Sequence, residues 1–366
     1  MKIVIISNLD EDLSQGPNWS VPARAKALER IDDVYWLNCN ESIQDHWLNC
    51  NSFHKLSELK SLKLCNLPLD FQYPDYVIFE GFYHTVYLDF ARELHSHKIP
   101  YIIAPRSSLT KMAQKSKRVK KICGNLLFFY RFARNACAIQ YLTSCEKDDS
   151  GDKWNSNYII SPNGIELPHD QRHVKNTGEI TAITVGRLNK YQKGYDLLID
   201  ACGLIHDFLI ENNFKLILYG EKNRDYPELV NMVTNKNLDD IITFGGLISG
   251  ERKKEVLKNA SFFIMTSRFE GHPMGLIEAL AYGLPSLVTS GSNMSDEIYD
   301  FNAGWVCEST PKSIADVLKK AVVESLGCKE KQNGARILAG KYEWNNIVLN
   351  FHNKLIELKK TENGIY

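Results

Sequence analysis

No apolar run in these 366 residues approaches the ~18–20 that a membrane-spanning helix needs, so no spanning segment is expected. The opening Met1-Lys2-Ile3-Val4-Ile5-Ile6-Ser7 is too short for a secretory core and reads as a first strand. The nine cysteines are odd in number and contain no Cys-x-x-Cys pair. That argues against a disulfide scaffold or structural zinc site and for reduced thiols in a cytosolic protein. Neither sign of charge is in excess: Lys+Arg and Asp+Glu both count 44, so a charged partner can be met only locally. Repeats and low-complexity tracts are missing too. With 44% hydrophobic, 24% charged and 11% aromatic residues, the chain is neither disordered nor collagenous. At ~150 residues per domain its length suggests two domains.

What is there is alternation: short apolar strand, loop, helical pattern, the mark of α/β units with parallel sheets. Strands are expected at Lys2–Ser7, Val34–Asn38, Tyr76–Phe79, Tyr101–Ala104, Ala138–Tyr141 and Tyr158–Ile160, with helices such as Pro22–Arg30 and Leu88–His97 between them. Residues 167–179 lapse into polar, turn-rich sequence and read as a linker. The pattern then restarts with strands Ile180–Val185, Lys215–Tyr219, Ile241–Phe244, Phe262–Met265 and Ser286–Thr289. Helices Tyr195–Glu211, Pro227–Asn235, Lys253–Lys258, Gly275–Tyr282 and Pro311–Ser325 alternate with them. The reading is α/β: two doubly wound lobes, 1–170 and 171–343, facing an interdomain cleft at the carboxyl ends of their strands. The amphipathic stretch Trp344–Lys360, within 344–366, either caps the second lobe or returns to the first.

The densest chemistry lies at Thr266–Pro285. Gly271, Pro273 and Gly275 form a tight turn before a helix, which predicts free backbone N–H groups at the helix N-terminus for an anion. Glu270 precedes the turn and Glu278 lies about one helical turn beyond it. Carboxylates repel phosphate, so beside an anion pocket they suit neutral polyols, sugar hydroxyls for one and ribose hydroxyls for the other. Taken singly, Glu270 as a helix cap and Glu278 as a solvated side chain stand as plain alternatives. A second signal is Val185-Gly186-Arg187, followed by Lys193-Gly194. Two cations six positions apart on a strand-end loop can neutralise a diphosphate from two directions. The order Lys193-Gly194 excludes a GxxxxGK[ST] loop.

The run R-x5-K-G-x-D-x-L-I-x-A from Arg187, followed by F-E-G-x-P-x-G-x-x-E-A-L-A-x-G-x-P from Phe269, resembles the family 4 retaining glycosyltransferases of the GT-B fold. Gln15-Gly16-Pro17, Ser161–Glu166, Thr289–Ile298 and Asn302–Trp305 stand where that family would have supporting pieces. The resemblance implies two Rossmann-like lobes and transfer of a hexosyl unit from a nucleoside-diphosphate sugar to a saccharide or lipid-linked saccharide, with a UDP-sugar expected as donor. It places Arg187 and Lys193 on the pyrophosphate, Glu270 on the sugar, Glu278 on the ribose and Leu247 near the base. Gly16, Pro273 and the backbone amides around Met274, Gly275 and Leu276 complete the donor set, and Arg187, Lys193 and Glu270 are the catalytic candidates. It implies neither a metal nor another cofactor. Where many relatives carry a histidine, this chain has Pro105-Arg106-Ser107, so Arg106, His84 and Asn163 are the acceptor-side candidates. Arg106 cannot act as a base and would bind donor or acceptor phosphate, or cap the strand end.

From Leu94 to Cys145 there is no Asp or Glu, while Lys111, Lys115, Lys117, Arg118, Lys120, Lys121, Arg131 and Arg134 cluster around an apolar run. Residues 111–134 suit an anionic membrane surface, or are a solvated helix packed on the first lobe. No nucleic-acid module accompanies the charge. A cytoplasmic enzyme, peripheral at the inner face of the cell membrane, is the resulting expectation. The competing readings are a GT-A enzyme using Asp10-Glu11-Asp12, a two-lobed epimerase or phosphorylase, and a non-catalytic accessory subunit.

Overall fold

The computed structural model describes residues 1–12, 16–168, 179–325 and 327–362. Its contacts divide the chain into two units, Met1–Gly164 with Trp344–Tyr366, and Ile165–Glu343. The expected break near residue 170 and most of the expected linker lie outside the described residues, as does Gln15.

In the first unit the strands are β1 (Lys2–Ser7), β2 (Asp33–Asn38), β3 (Phe53–Lys55), β4 (Tyr76–Glu80), β5 (Tyr101–Ala104), β6 (Ala138–Tyr141) and β7 (Tyr158–Ile160). They pair in parallel in the order β3-β2-β1-β4-β5-β6-β7. The β1 run Ile3-Val4-Ile5-Ile6 shows why: β-branched side chains fit the pleat, and all four are fully buried because helices cover both faces. Period two sends Val4 and Ile6 to one core with Phe79 and Phe132, and Ile3 and Ile5 to another with Trp36 and Phe351. Phe351 belongs to the C-terminal helix Trp344–Glu362, which packs on this unit. A Cβ on Gly164 would meet the Trp344 ring at 2.5 Å. The Tyr76 hydroxyl donates to the Leu355 carbonyl at 2.9 Å, and Lys354 Nζ to that of Ile160 at 2.6 Å. Strand β3 escaped the sequence reading because three half-exposed edge residues carry no readable alternation.

The second unit pairs β8 (Ile180–Val185), β9 (Phe214–Tyr219), β10 (Ile242–Gly246), β11 (Phe262–Met265), β12 (Ser286–Thr289) and β13 (Gly304–Cys307), in the order β10-β9-β8-β11-β12-β13. The expected helix Tyr195–Glu211 is instead two helices, Tyr195–Leu204 and His206–Glu211, interrupted where Ile205 takes φ −128°. Strand β13 and helix Lys329–Gly340 were not foreseen. Both run over glycines whose small size is required: a Cβ on Gly304 would overlap the Ser286 carbonyl, and one on Gly334 the Phe301 carbonyl. Strand order reverses between β1 and β4 in one unit and between β8 and β11 in the other. Within each unit taken by itself, the loops leaving these strands mark where such a sheet can hold a ligand.

Candidate active site

In the second unit the loops after β8 and β11 lock together through backbone. Asn189 caps the short helix Lys190–Lys193 by accepting from the Gln192 N–H at 2.8 Å. Gly194 follows at φ +64°, and a Cβ there would overlap the Thr266 carbonyl oxygen. The Thr266 hydroxyl donates within 3.1 Å of both the Lys193 and Gly194 carbonyls, and the Arg268 N–H donates to the Gln192 carbonyl at 2.8 Å. Arg268 also forks onto Asp196 at 2.7 and 2.8 Å.

This scaffold sets Lys193 Nζ 2.7 Å from Glu270 Oε1, both side chains largely buried at 15% and 7% exposure. The Ser267 hydroxyl donates to the same oxygen at 2.6 Å. Lys193 also lies over Gly186, where a Cβ would come 3.5 Å from its ammonium. Arg187, in the same loop, is exposed and makes no ion pair among the described residues. Gly275 rests against the end of β8, where a Cβ would stand 2.7 Å from the Val185 carbonyl. Arg187, Lys193, Glu270 and the start of helix Met274–Ala281 are thus gathered at the carboxyl ends of β8 and β11.

One expectation needs correcting, and one plain alternative falls. The Met274 N–H donates to the His272 carbonyl and the Leu276 N–H to that of Pro273, each at 3.0 Å, so the turn does not leave all three amides open. The turn thus satisfies the Met274 and Leu276 donors from within itself. Glu278 is not simply solvated either: it pairs with Lys253 from helix Gly250–Asn259. Leu247 follows β10 and is 69% exposed, an uncovered apolar face beyond Gly246 at φ +72°.

The first unit arranges its polar groups differently. Glu80, at the end of β4, accepts from Arg24 NH1 at 3.1 Å and from Arg106 Nε at 2.8 Å, with all three side chains at least nine-tenths buried. Burial, first, pushes the Arg24 guanidinium down to about 10; Glu80 opposes this and the Arg106 charge adds to it. Arg24 also donates to Gln140 and stacks 4.2 Å from the Phe351 ring. Arg106 NH1 donates to Asn163 Oδ1 at 2.6 Å, joining two of the acceptor-side candidates. Glu80 and Asn163 hold the Arg106 guanidinium at the strand end through Nε and NH1, while NH2 is buried and has no hydrogen-bond partner among the described residues. Arg106 and Ser107 both take positive φ, 51° and 64°, a strained pair fixed by the Ser107 N–H donating to buried Glu146 at 2.6 Å. His84 lies over Gly81 and faces Asn8 Nδ2 at 3.2 Å; burial pushes its pKa down, favouring the neutral ring. Gly16 caps helix Pro17–Leu28 at ordinary φ −55°, where a Cβ would meet nothing.

Sequence reading missed Ser267, Lys253, Arg24 and Glu80. A carboxylate closing the apolar strand Tyr76–Glu80 was a usable signal for Glu80; a cation among the alanines of helix Pro17–Leu28 was a weaker one for Arg24.

Residues 167–335 match the family described as Glycosyl transferases group 1. An uncharacterized glycosyltransferase of Methanocaldococcus jannaschii is 32% identical over 167 residues, 44% of this chain and 41% of the relative. The amylovoran biosynthesis glycosyltransferase AmsD of Erwinia amylovora is 26% identical over 176 residues, 45% of this chain and 47% of the relative. The matched stretch spans less than half the length of either. Among solved structures, the sucrose-phosphate synthase of Thermosynechococcus elongatus superposes with TM-score 0.71 at 15% identity, covering 99% of this chain and 100% of that one. HepE of Anabaena, in complex with UDP and glucose, gives 0.70 at 12% identity, covering 98% and 100%. The chain therefore has the two Rossmann-like units of the GT-B fold, and residues 167–335, most of its second unit, are similar to the group 1 glycosyl transferases.

Proposed function

We propose that the protein is a retaining glycosyltransferase of family 4 type. In this reading it moves a hexosyl unit from a nucleoside-diphosphate sugar, a UDP-sugar first of all, to a saccharide in cell-surface polysaccharide assembly. The observation that carries the reading is the Lys193–Glu270 pair beside exposed Arg187, which has no ion pair among the described residues, on a loop whose glycines let backbone approach closely. An ammonium has three donors, so Lys193 can keep Glu270 and take a phosphate oxygen at once. Arg187 grips the pyrophosphate from the other side, and the two cations stabilise charge growing on the leaving diphosphate. Glu270, held by Ser267, orients the donor sugar; Glu278 meets the ribose; the base lies on Leu247. The acceptor attacks from the leaving-group face and gives its proton to the departing phosphate, so no protein nucleophile is required and the two cations do a metal's work.

The polysaccharide context is supported by the likeness to AmsD. A lipid-diphosphate-linked saccharide fits as acceptor, with the enzyme on the reducing, cytoplasmic side, which its odd number of cysteines suits. Among the described residues no helix is long and apolar enough to cross a membrane. Thermal melts against a panel of nucleotide sugars test the donor reading. A bound donor at 100 times its dissociation constant adds about 2.7 kcal/mol of stability. Flat melts with every nucleotide, or with Lys193→Ala and the parent responding alike, would remove it.

A further inference from the structure

The segment Lys111–Arg134 reverses the usual order of inside and outside. Polar Asn125 is buried, bonded to the Tyr83 hydroxyl at 3.1 Å, while its successors Leu126, Leu127 and Phe128 are 73%, 69% and 47% exposed. The cause is local: Asn125–Phe129 form a π turn between helices Arg118–Gly124 and Tyr130–Arg134. The wider turn brings Phe129 inward, only 6% exposed, and leaves three consecutive apolar side chains facing out. Val119 and Met112 add exposed apolar surface at 76% and 63%. A patch of this kind on a folded protein marks something that covers it.

The flanking charge says what. Lys115, Lys117, Arg118 and Lys120 are exposed and have no ion pair among the described residues, and Lys111 reaches Asp149 only at 3.9 Å. Behind the apolar ridge, between it and helix Val86–Ser96, lies a cavity of about 250 Å³. Leu88, Tyr101, Leu127 and Phe132 line it with Arg92 and Arg131. A greasy slot with the Arg131 guanidinium on its wall and Arg92 paired with Asp89 at 2.9 Å, beside a ridge ringed by cations, matches an acyl chain ending in a phosphate. Nucleic acid would leave the three apolar side chains in water.

We propose that this face docks on an anionic phospholipid bilayer, with Leu126, Leu127 and Phe128 entering the acyl region and the cavity taking one lipid chain. The inference extends the lipid-linked acceptor reading, but docking itself requires no glycosyl transfer. The test is flotation of the full chain with vesicles of neutral phosphatidylcholine, with or without phosphatidylglycerol. Recovery is expected only with the anionic lipid and is lost in molar salt. Lys117→Ser and Lys120→Ser each lower the partition coefficient about fivefold. Leu127→Ser with Phe128→Ser lowers it further at unchanged melting temperature, both sites being exposed. Leu88→Trp, which fills the cavity from one wall, weakens binding severalfold. Equal recovery on neutral and anionic vesicles, or none on either, overturns the docking. Unchanged binding of the Leu127/Phe128 variant overturns the insertion, and unchanged binding of Leu88→Trp overturns the lipid slot. The UDP-induced rise in melting temperature is read on the same samples, so a failed donor reading shows as a missing shift with flotation intact.

Discussion

Both units place charged side chains at the carboxyl ends of a parallel sheet, yet they use them oppositely. In the second unit one cation meets one carboxylate, Lys193 with Glu270, and a second cation, Arg187, stands exposed beside them. In the first, two buried arginines share the single carboxylate of Glu80. A buried pair stripped of one partner leaves a charge that water cannot reach, so such clusters hold structure; an exposed cation beside a paired one is free to hold a ligand. The same sheet edge thus serves as a fastening in one unit and as a candidate binding surface in the other.

The strongest way to break this contrast is Glu80→Leu, which removes the carboxylate that Arg24 and Arg106 share and leaves Glu146 as the buried acid near Arg106. Denaturant unfolding should lose about 3–5 kcal/mol; a loss under about 1 kcal/mol would mean the cluster is no fastening. Lys193→Ala should instead act on turnover, lowering it by about 10²–10³-fold while costing less stability than Glu80→Leu. If initial rates stay near normal, Lys193 has no part in the reaction. Gly194→Ala sharpens the claim that the binding loop depends on close backbone approach. The added Cβ overlaps the Thr266 carbonyl at a left-handed φ, for an expected cost of about 1–3 kcal/mol, read from thermal melts.

The smallest effect concerns acid. His84 has its pKa pushed below 6.5 by burial, so the unfolded chain takes up a proton there more readily than the folded one. Its contribution is present above pH 6.5 and fades as pH falls through the lowered value. His84→Gln should therefore flatten the acid side of the stability curve. Parallel curves for parent and variant would show that the ring does not resist protonation.

Much of this was legible in the chain. Alternating apolar runs located β1, β4, β5, β6, β8, β9 and β11, because strands buried on both faces read as continuous hydrophobic stretches. The loop holding Arg187 and Lys193, and the turn ahead of helix Met274–Ala281, also carried their own local signals. Edge strands β3 and β13 did not, being short and partly exposed. The amides of Met274 and Leu276 were expected open because sequence shows that a turn exists, not which bonds close it.

What the residues alone determined is whatever depends on near neighbours: periodicity, glycine positions, the absence of acids between Leu94 and Cys145. What only the folded chain decided is which distant groups meet. Arg24, Glu80 and Arg106 span more than eighty positions, and Lys253 reaches Glu278 from another helix. Phe351 comes from the chain's far end to cover Arg24. Such encounters are set by the crossovers that order the strands, and no local pattern encodes them, since charges pair through space and not along the backbone.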